Sequence, residues 1–266
     1  MLLPLDPLAE VTLEANPGTV EAERFRDYRA AGVNRISLGI QSFDDAMLEK
    51  IGRIHGADEA RRAIDAARTH FERVNLDLMY ALPGQTPDMA LADLETAIGF
   101  GVQHLSCYHL TLEPNTPFAH NPPPLPDDDT AADMQEAIEA RLADAGFAHY
   151  ETSAFARPHE QSRHNLNYWT FGDYLGIGAG AHGKLSSPSG KIVRTWKTRL
   201  PKDYLDPDKA FLAGERALDR VLGLGEAGRG GVDARHPDAD VRLGQFTELV
   251  AQLEQACLHR LRSGKG

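Results

Sequence analysis

Apolar and β-branched residues gather in four short runs that begin near Val11, Arg35, Val74 and His104. Turn residues close each run, and after the first three, apolar positions return at helical spacing. That alternation predicts an α/β fold with parallel strands. The first run, Val11 to Ala15, stops at Asn16-Pro17-Gly18; Thr19 then suits the N-cap of a helix ending with Gly32 at C′. A second strand covers Arg35 to Gln41, with Ser42 placed to cap a short helix, and Ala57 to Phe71 reads as a further helix. A third strand, Asn75 to Tyr80, ends at Leu82-Pro83-Gly84, and Thr86-Pro87 has the order of a cap followed by a first-turn proline. The fourth strand is His104 to Thr111.

Past the stiff segment Asn121 to Asp127, a helix is predicted from the acidic run Asp127 to Asp129 through Ala145, with Gly146 behind it. Phe147 to Phe155 and Lys191 to Trp196 read as strands. Beyond about Gly214 the composition shifts to Gly, Arg, Ala and Asp, so residues 214 to 240 are expected to be loosely ordered, and only Phe246 to Leu261 regains helical periodicity.

Composition narrows the picture. The 266 residues carry 28 Lys plus Arg against 39 Asp plus Glu, an acidic balance that argues against a broad nucleic-acid or anionic-membrane footprint. No apolar run approaches the roughly 18 residues of a membrane span, and Met1-Leu2-Leu3-Pro4 lacks the pattern of a signal peptide, so a cytoplasmic location is expected. Cys107 and Cys257, the two cysteines, make neither a disulfide framework nor a cysteine-rich metal motif.

In parallel α/β sheets, ligands gather at the carboxyl ends of the strands. The polar residues near those ends are Glu14, Gln41, Asp77 and the Cys107 to His109 segment, with Arg53 one loop further on. Taken singly, each suits a loop cap or a solvated charge. Glu14 and Asp77 sit in β-rich apolar runs, where an unsatisfied carboxylate costs several kcal/mol, roughly 2–7 even for a neutral polar group. A second cluster runs from Arg163 to Lys184: His164-Asn165-Leu166-Asn167-Tyr168-Trp169, then a glycine-rich turn, Gly176 to Gly183, where bare backbone can approach a flat or anionic ligand. By local chemistry His164 fits a hydrogen-bonded core histidine as well as a ligand.

Five segments in order, Leu13-Glu14-Ala15-Asn16-Pro17-Gly18-Thr19, Arg35 to Phe43, Gly52-Arg53-Ile54-His55, Asn75 to Gly84 and His164 to Tyr168, together resemble the haem-chaperone (HemW) branch of the oxygen-independent coproporphyrinogen III oxidase family, within the radical SAM superfamily. The resemblance covers roughly residues 10 to 212. It implies a partial (β/α)6 TIM-like barrel over 1–120 that lacks its first two strands, an appended region with a haem motif over 121–212, and a tail over 213–266 that departs from the family. By position it implies that Glu14, Gln41, Arg53 and Asp77 contact S-adenosylmethionine: a carboxylate accepts ribose hydroxyls, an amide reads a polar edge, and an arginine pairs with the methionine carboxylate. The family's His-Asn-x-x-Tyr haem motif falls on His164, Asn165 and Tyr168, with His164 as haem-iron ligand and Arg163 or Lys184 near the propionates. His182 also falls in the glycine turn.

The family's Cys-x3-Cys-x2-Cys loop, which binds a [4Fe-4S] cluster ahead of the third barrel strand, has no counterpart here. Radical chemistry is therefore not expected of these residues. The leading expectation is a haem-binding protein that passes haem to an acceptor protein. The alternative is a radical SAM enzyme acting on coproporphyrinogen III, and a third possibility is a fragment without function, whose Val11 to Ala15 strand would present an unpaired edge.

Overall fold

The computed structural model describes residues 6–187, 190–210 and 212–218. Residues 219–240 of the segment expected to be loosely ordered, the expected helix over Phe246 to Leu261 and Cys257 lie outside the described residues. The chain divides into two compact units, one from Asp6 to Leu166 and one from Asn167 onward.

The first unit is an α/β layer. In chain order it holds β1 (Thr12–Ala15), α1 (Thr19–Ala30), β2 (Arg35–Gln41), α2 (Asp45–Lys50), α3 (Ala57–His70), β3 (Arg73–Tyr80), α4 (Pro87–Gly99), β4 (His104–His109), α5 (Pro117–His120), α6 (Asp128–Asp144), β5 (Ala148–His149) and β6 (Ala154–Ala156). The six strands form one sheet in the order β1-β2-β3-β4-β6-β5. The first four run parallel, and β6 and β5 continue the sheet antiparallel. Parallel neighbours need crossovers, and helices supply them.

Side chains alternate across this sheet with a sharp division of character. Ile36, Leu38, Ile40, Val74, Leu76, Leu78, Leu105 and Cys107 belong to one buried apolar core with Phe25 of α1, Ile64 of α3, Leu94 of α4 and Ile138 of α6. The intervening residues are polar: Arg35, Ser37, Asn75, Asp77, His104 and Ser106. A strand covered on both faces normally reads as a continuous apolar run. Here a buried polar face replaces one side, and the candidate Asp77 belongs to it.

Several local expectations change. Gly18, in extended geometry, holds the cap position of α1 ahead of Thr19, while Gly32 adopts the expected left-handed backbone at φ 106°. Asp44, not Ser42, caps α2, accepting from the N–H groups of Ala46 and Met47. Ser42 is diverted because its hydroxyl donates to Asp93 at 2.7 Å. Thr86 and Asp127 cap α4 and α6. Phe147 to Phe155 is not one strand but the hairpin β5–β6, because the chain turns at 150–153 and Tyr150 leaves the ladder to reach His104. The edge strand β1 pairs with β2 alone among the described strands.

Helix α7 (Arg163–Trp169) begins in the first unit and runs on into the second. The second unit continues with β7 (His182–Ser186), β8 (Ile192–Lys197), α8 (Pro201–Tyr204) and β9 (Leu212–Leu218). The three strands form an antiparallel sheet in the order β7-β8-β9. Residues 214–218, expected to be loosely ordered, therefore belong to a strand, because β8 offers a free ladder edge opposite them. The glycine-rich segment is also less open than expected, since its last two residues start β7. A Cβ on Gly176 would lie 2.1 Å from the His182 carbonyl oxygen, and one on Gly183 would lie 2.7 Å from Thr195 Oγ1. At these positions the close approach is to the protein's own chain.

Candidate functional site

The polar face is built from strand register. Glu14 pairs with Ser37, Ser37 with Asn75 and Asn75 with His104, so four residues of one row cross four strands. Two residues further along β3, Asp77 pairs with Ser106. The Ser37 hydroxyl donates to one Asp77 oxygen at 3.0 Å, and the Asn75 amide donates to the other at 2.7 Å. Burial pushes the Asp77 carboxyl up from its ordinary range, hydrogen bonds from Asn75, Ser37 and Ser106 pull it back, and the charge of Glu14 adds to the rise. The buried carboxylate is thus satisfied from within, as its position in an apolar run demands. Glu14 itself is exposed at the edge strand.

Gln41 ends β2 with a left-handed backbone, φ 72°, which a side-chain-bearing residue adopts only when its surroundings impose it. Asp93 of α4 helps impose it, accepting from the Ser42 hydroxyl and from the Phe43 N–H, both at 2.7 Å. His55 Nε2 lies 3.1 Å from the Ile40 carbonyl oxygen and so donates to it. A Cβ on Gly39 would lie 2.9 Å from Gln41 Nε2 and 3.1 Å from Asn16 Oδ1, so a side chain there would displace these two amide ends. Asn16 Oδ1 also accepts from Arg53 at 3.2 Å. Gln41, Arg53 and the end of β1 are thereby brought together over Gly39. Asn16, Gly39, His55 and Asp93 were not expected as site residues; the first three lie inside the quoted motifs, whereas nothing in the sequence near Asp93 signals its partners. Asp93→Ala leaves two buried donors without an acceptor and should lower stability by about 2 kcal/mol or more, measured by urea unfolding. An unchanged midpoint would mean that the turn holds without this carboxylate.

The second candidate cluster surrounds the start of α7. His164 is exposed and Asn165 half-buried. His164 Nδ1 lies 3.1 Å from the Ser162 hydroxyl and 3.9 Å from a Glu10 carboxylate oxygen. Burial of the ring and the nearby Arg35 charge lower its pKa, against the opposing charges of Glu10 and Glu14. The Arg163 N–H donates to Glu10 at 2.9 Å, and the Asn165 amide donates to the Tyr150 hydroxyl at 3.3 Å. Glu10, which also pairs with Arg73, carries a side chain only 4% exposed. Arg163 spends a guanidinium N–H on the Leu8 carbonyl.

Tyr168, one turn beyond His164 along α7, belongs to the second unit, where its ring meets Tyr174 edge-on with centroids 4.7 Å apart. In that unit Lys184 is buried, and its ammonium donates to the Phe171 and Gly172 carbonyls, to Asp173 and to the Ser186 hydroxyl. Those acceptors leave Lys184 a structural tie rather than a group free for a propionate.

No three His, Cys, Asp or Glu side chains converge on a metal site among the described residues. Cys107 lies in the core, where burial pushes its thiol up to about 12, and a protonated thiol does not ligate iron. The described residues therefore do not suit a [4Fe-4S] cluster. None of the described helices is long and apolar enough to cross a membrane.

The Radical SAM superfamily profile matches residues 2–97. The haem chaperone HemW of Escherichia coli K12 is 55% identical over 204 residues, covering 76% of this chain and 54% of that protein. HemW of Haemophilus influenzae is 56% identical over 197 residues, covering 74% of this chain and 51% of that protein. The chain thus spans about half the length of the curated relatives it matches. The solved structure of the Escherichia coli coproporphyrinogen III oxidase HemN, a radical SAM enzyme, superposes with a TM-score of 0.68 at 22% identity, over 80% of this chain and 52% of that one, which establishes a shared fold.

Proposed function

This chain belongs to the HemW family of the radical SAM superfamily, and from that premise we propose that it binds haem through His164 of α7 and delivers it to an acceptor protein. The observation that carries the reading is the setting of His164: an exposed imidazole whose Nδ1 is engaged by Ser162 and faces Glu10, while Nε2 has no partner among the described residues. Iron-bound histidines commonly have one nitrogen on the metal and the other hydrogen-bonded to a carboxylate or a neighbouring oxygen. Haem is the cargo here, and the protein's part is to hold an uncharged imidazole at a fixed angle. Asn165 and Tyr168 complete the motif on the same helix.

The same reading gives Glu14, Gln41, Arg53 and Asp77 to S-adenosylmethionine. Gln41 at the end of β2, Arg53 between α2 and α3, and Asp77 with Glu14 nearby on the polar face have the donor and acceptor types that the ligand's amino-acid and ribose parts require. Radical cleavage is left out of the proposal, because it requires an iron–sulfur cluster that the described residues do not suit. Calorimetric titration should accordingly give weak binding of S-adenosylmethionine.

The test is a titration of the purified chain with haem, followed by absorption, beside the His164→Ala variant. A stoichiometric Soret shift that the substitution abolishes is the expected result. An equal shift in the variant would move the haem elsewhere, and no specific shift in a well-folded sample would remove the haem reading altogether.

A further inference from the structure

Tyr150 occupies a position that the haem reading leaves unexplained. Its hydroxyl lies 2.7 Å from His104 Nε2, 3.2 Å from the Ser162 N–H and 3.3 Å from the Asn165 amide nitrogen. Tracing the polar face from Asp77 fixes the direction of every one of these bonds. The Asp77 oxygens accept, so the Asn75 amide nitrogen faces Asp77 and Ser37. The Asn75 oxygen then faces His104 Nδ1 at 2.6 Å and the Ser106 hydroxyl at 3.2 Å. An amide oxygen cannot donate, so His104 Nδ1 carries the proton. Burial, with the charges of Arg35, Arg73 and His164, lowers the His104 pKa to about 3, so the ring is neutral and its Nε2 is a bare acceptor. Tyr150 must therefore donate to His104, and its two lone pairs accept from Ser162 and Asn165. One hydroxyl satisfies three groups, and two of them belong to the start of α7.

Ser162 connects this chain to the histidine of the haem motif. It is fully buried. Its backbone is held by Tyr150, while its hydroxyl accepts from the Asn165 N–H at 3.4 Å and lies 3.1 Å from His164 Nδ1. The Glu10 carboxylate stands on the same side of the ring, and a carboxylate favours a proton on the nitrogen that faces it.

From this geometry we infer that Tyr150 is a positioning residue for His164: oriented by His104, it anchors Ser162 and Asn165, and Ser162 with Glu10 holds the Nδ1 side of the His164 ring, keeping the ring at one angle and in one tautomer with Nε2 turned toward iron. The choice of iron as its object rests on the haem reading; the positioning of the ring does not.

The experiment uses the full chain and the Tyr150→Phe variant, with haem as the probe. Nitrogen-15 NMR of the ligand-free proteins, with His164 assigned by difference against His164→Ala, should show a single His164 tautomer in the parent. In the variant it should show a mixture of tautomers, and haem affinity should fall by about tenfold or more. A role in stability alone would lower the melting temperature without moving the tautomer. Unchanged His164 signals in a folded Tyr150→Phe protein would overturn the inference. If that variant loses cooperative unfolding, His104→Gln, which removes the acceptor that orients Tyr150 and leaves Ser162 and Glu10 in place, decides the matter by the same spectra. Failure of the parent to bind haem would remove the haem reading, while the tautomer measurement would still decide the role of Tyr150.

Discussion

Stability should fall steeply between pH 6.5 and pH 3, with His104 as the main cause. The unfolded chain takes up a proton on this histidine near its ordinary 6.5, whereas the folded protein holds the ring neutral down to about 3. Over that interval the unfolded state binds more protons, so the stability present above pH 6.5 is lost as the pH drops. The displacement corresponds to roughly 5 kcal/mol at full expression, comparable with the whole stability of many domains, about 5–15 kcal/mol. His164, also lowered, acts in the same direction. Asp77 and Asp93 oppose it: burial raises both, so the folded state takes up their protons first and gains stability as the pH falls. Urea unfolding at a series of pH values should show the net loss. His104→Gln, less stable at neutral pH, should have a flatter profile over the same range, and an unaltered slope would mean that another group carries the acid sensitivity.

Asn75→Leu should be among the most damaging single substitutions in the first unit. Asn75 is 2% exposed and makes hydrogen bonds to Ser37, Asp77, His104 and Ser106. Leucine matches its size and supplies none of them. Asp77 would keep Ser37 and Ser106 as donors, while His104 Nδ1 would lose its acceptor and Ser106 its bond to Asn75. At about 1–3 kcal/mol for each of these two buried groups, the loss is roughly 2–6 kcal/mol. A large drop in the urea midpoint, or recovery only as insoluble protein, is expected. A variant as stable as the parent would show that the network gains little over an apolar replacement, as replacement of some buried ion pairs has shown. Because Asn75 orients His104, the same substitution should also abolish the single His164 tautomer.

The four parallel strands and the helices between them followed from local periodicity. The two-residue repeat of Arg35 to Gln41 and the helical repeats after it are short-range properties, written into neighbouring positions. The candidates Glu14, Gln41, Arg53, Asp77 and His164 were singled out because their segments keep the spacing of a known family. A cap was legible where one side chain met one backbone group, as at Thr86. Ser42 was misassigned because its hydroxyl is engaged by a residue 51 positions away.

The sequence by itself determined an α/β protein with four parallel strands, an acidic surface balance and a haem-type motif after the last of them. Only the tertiary structure decided that His104 and Tyr150, 46 residues apart, meet, and that through Ser162 they reach the motif histidine. It also decided that Lys184 is spent on its own unit's carbonyls, that Asp93 holds the turn carrying Gln41, and that Phe147 to Phe155 folds back as a hairpin. The physical reason is one of range. Periodicity assigns each side chain to a face, but a hydrogen bond needs a partner within about 3 Å, and which residues come that close depends on sheet register and crossovers that no short stretch of sequence contains.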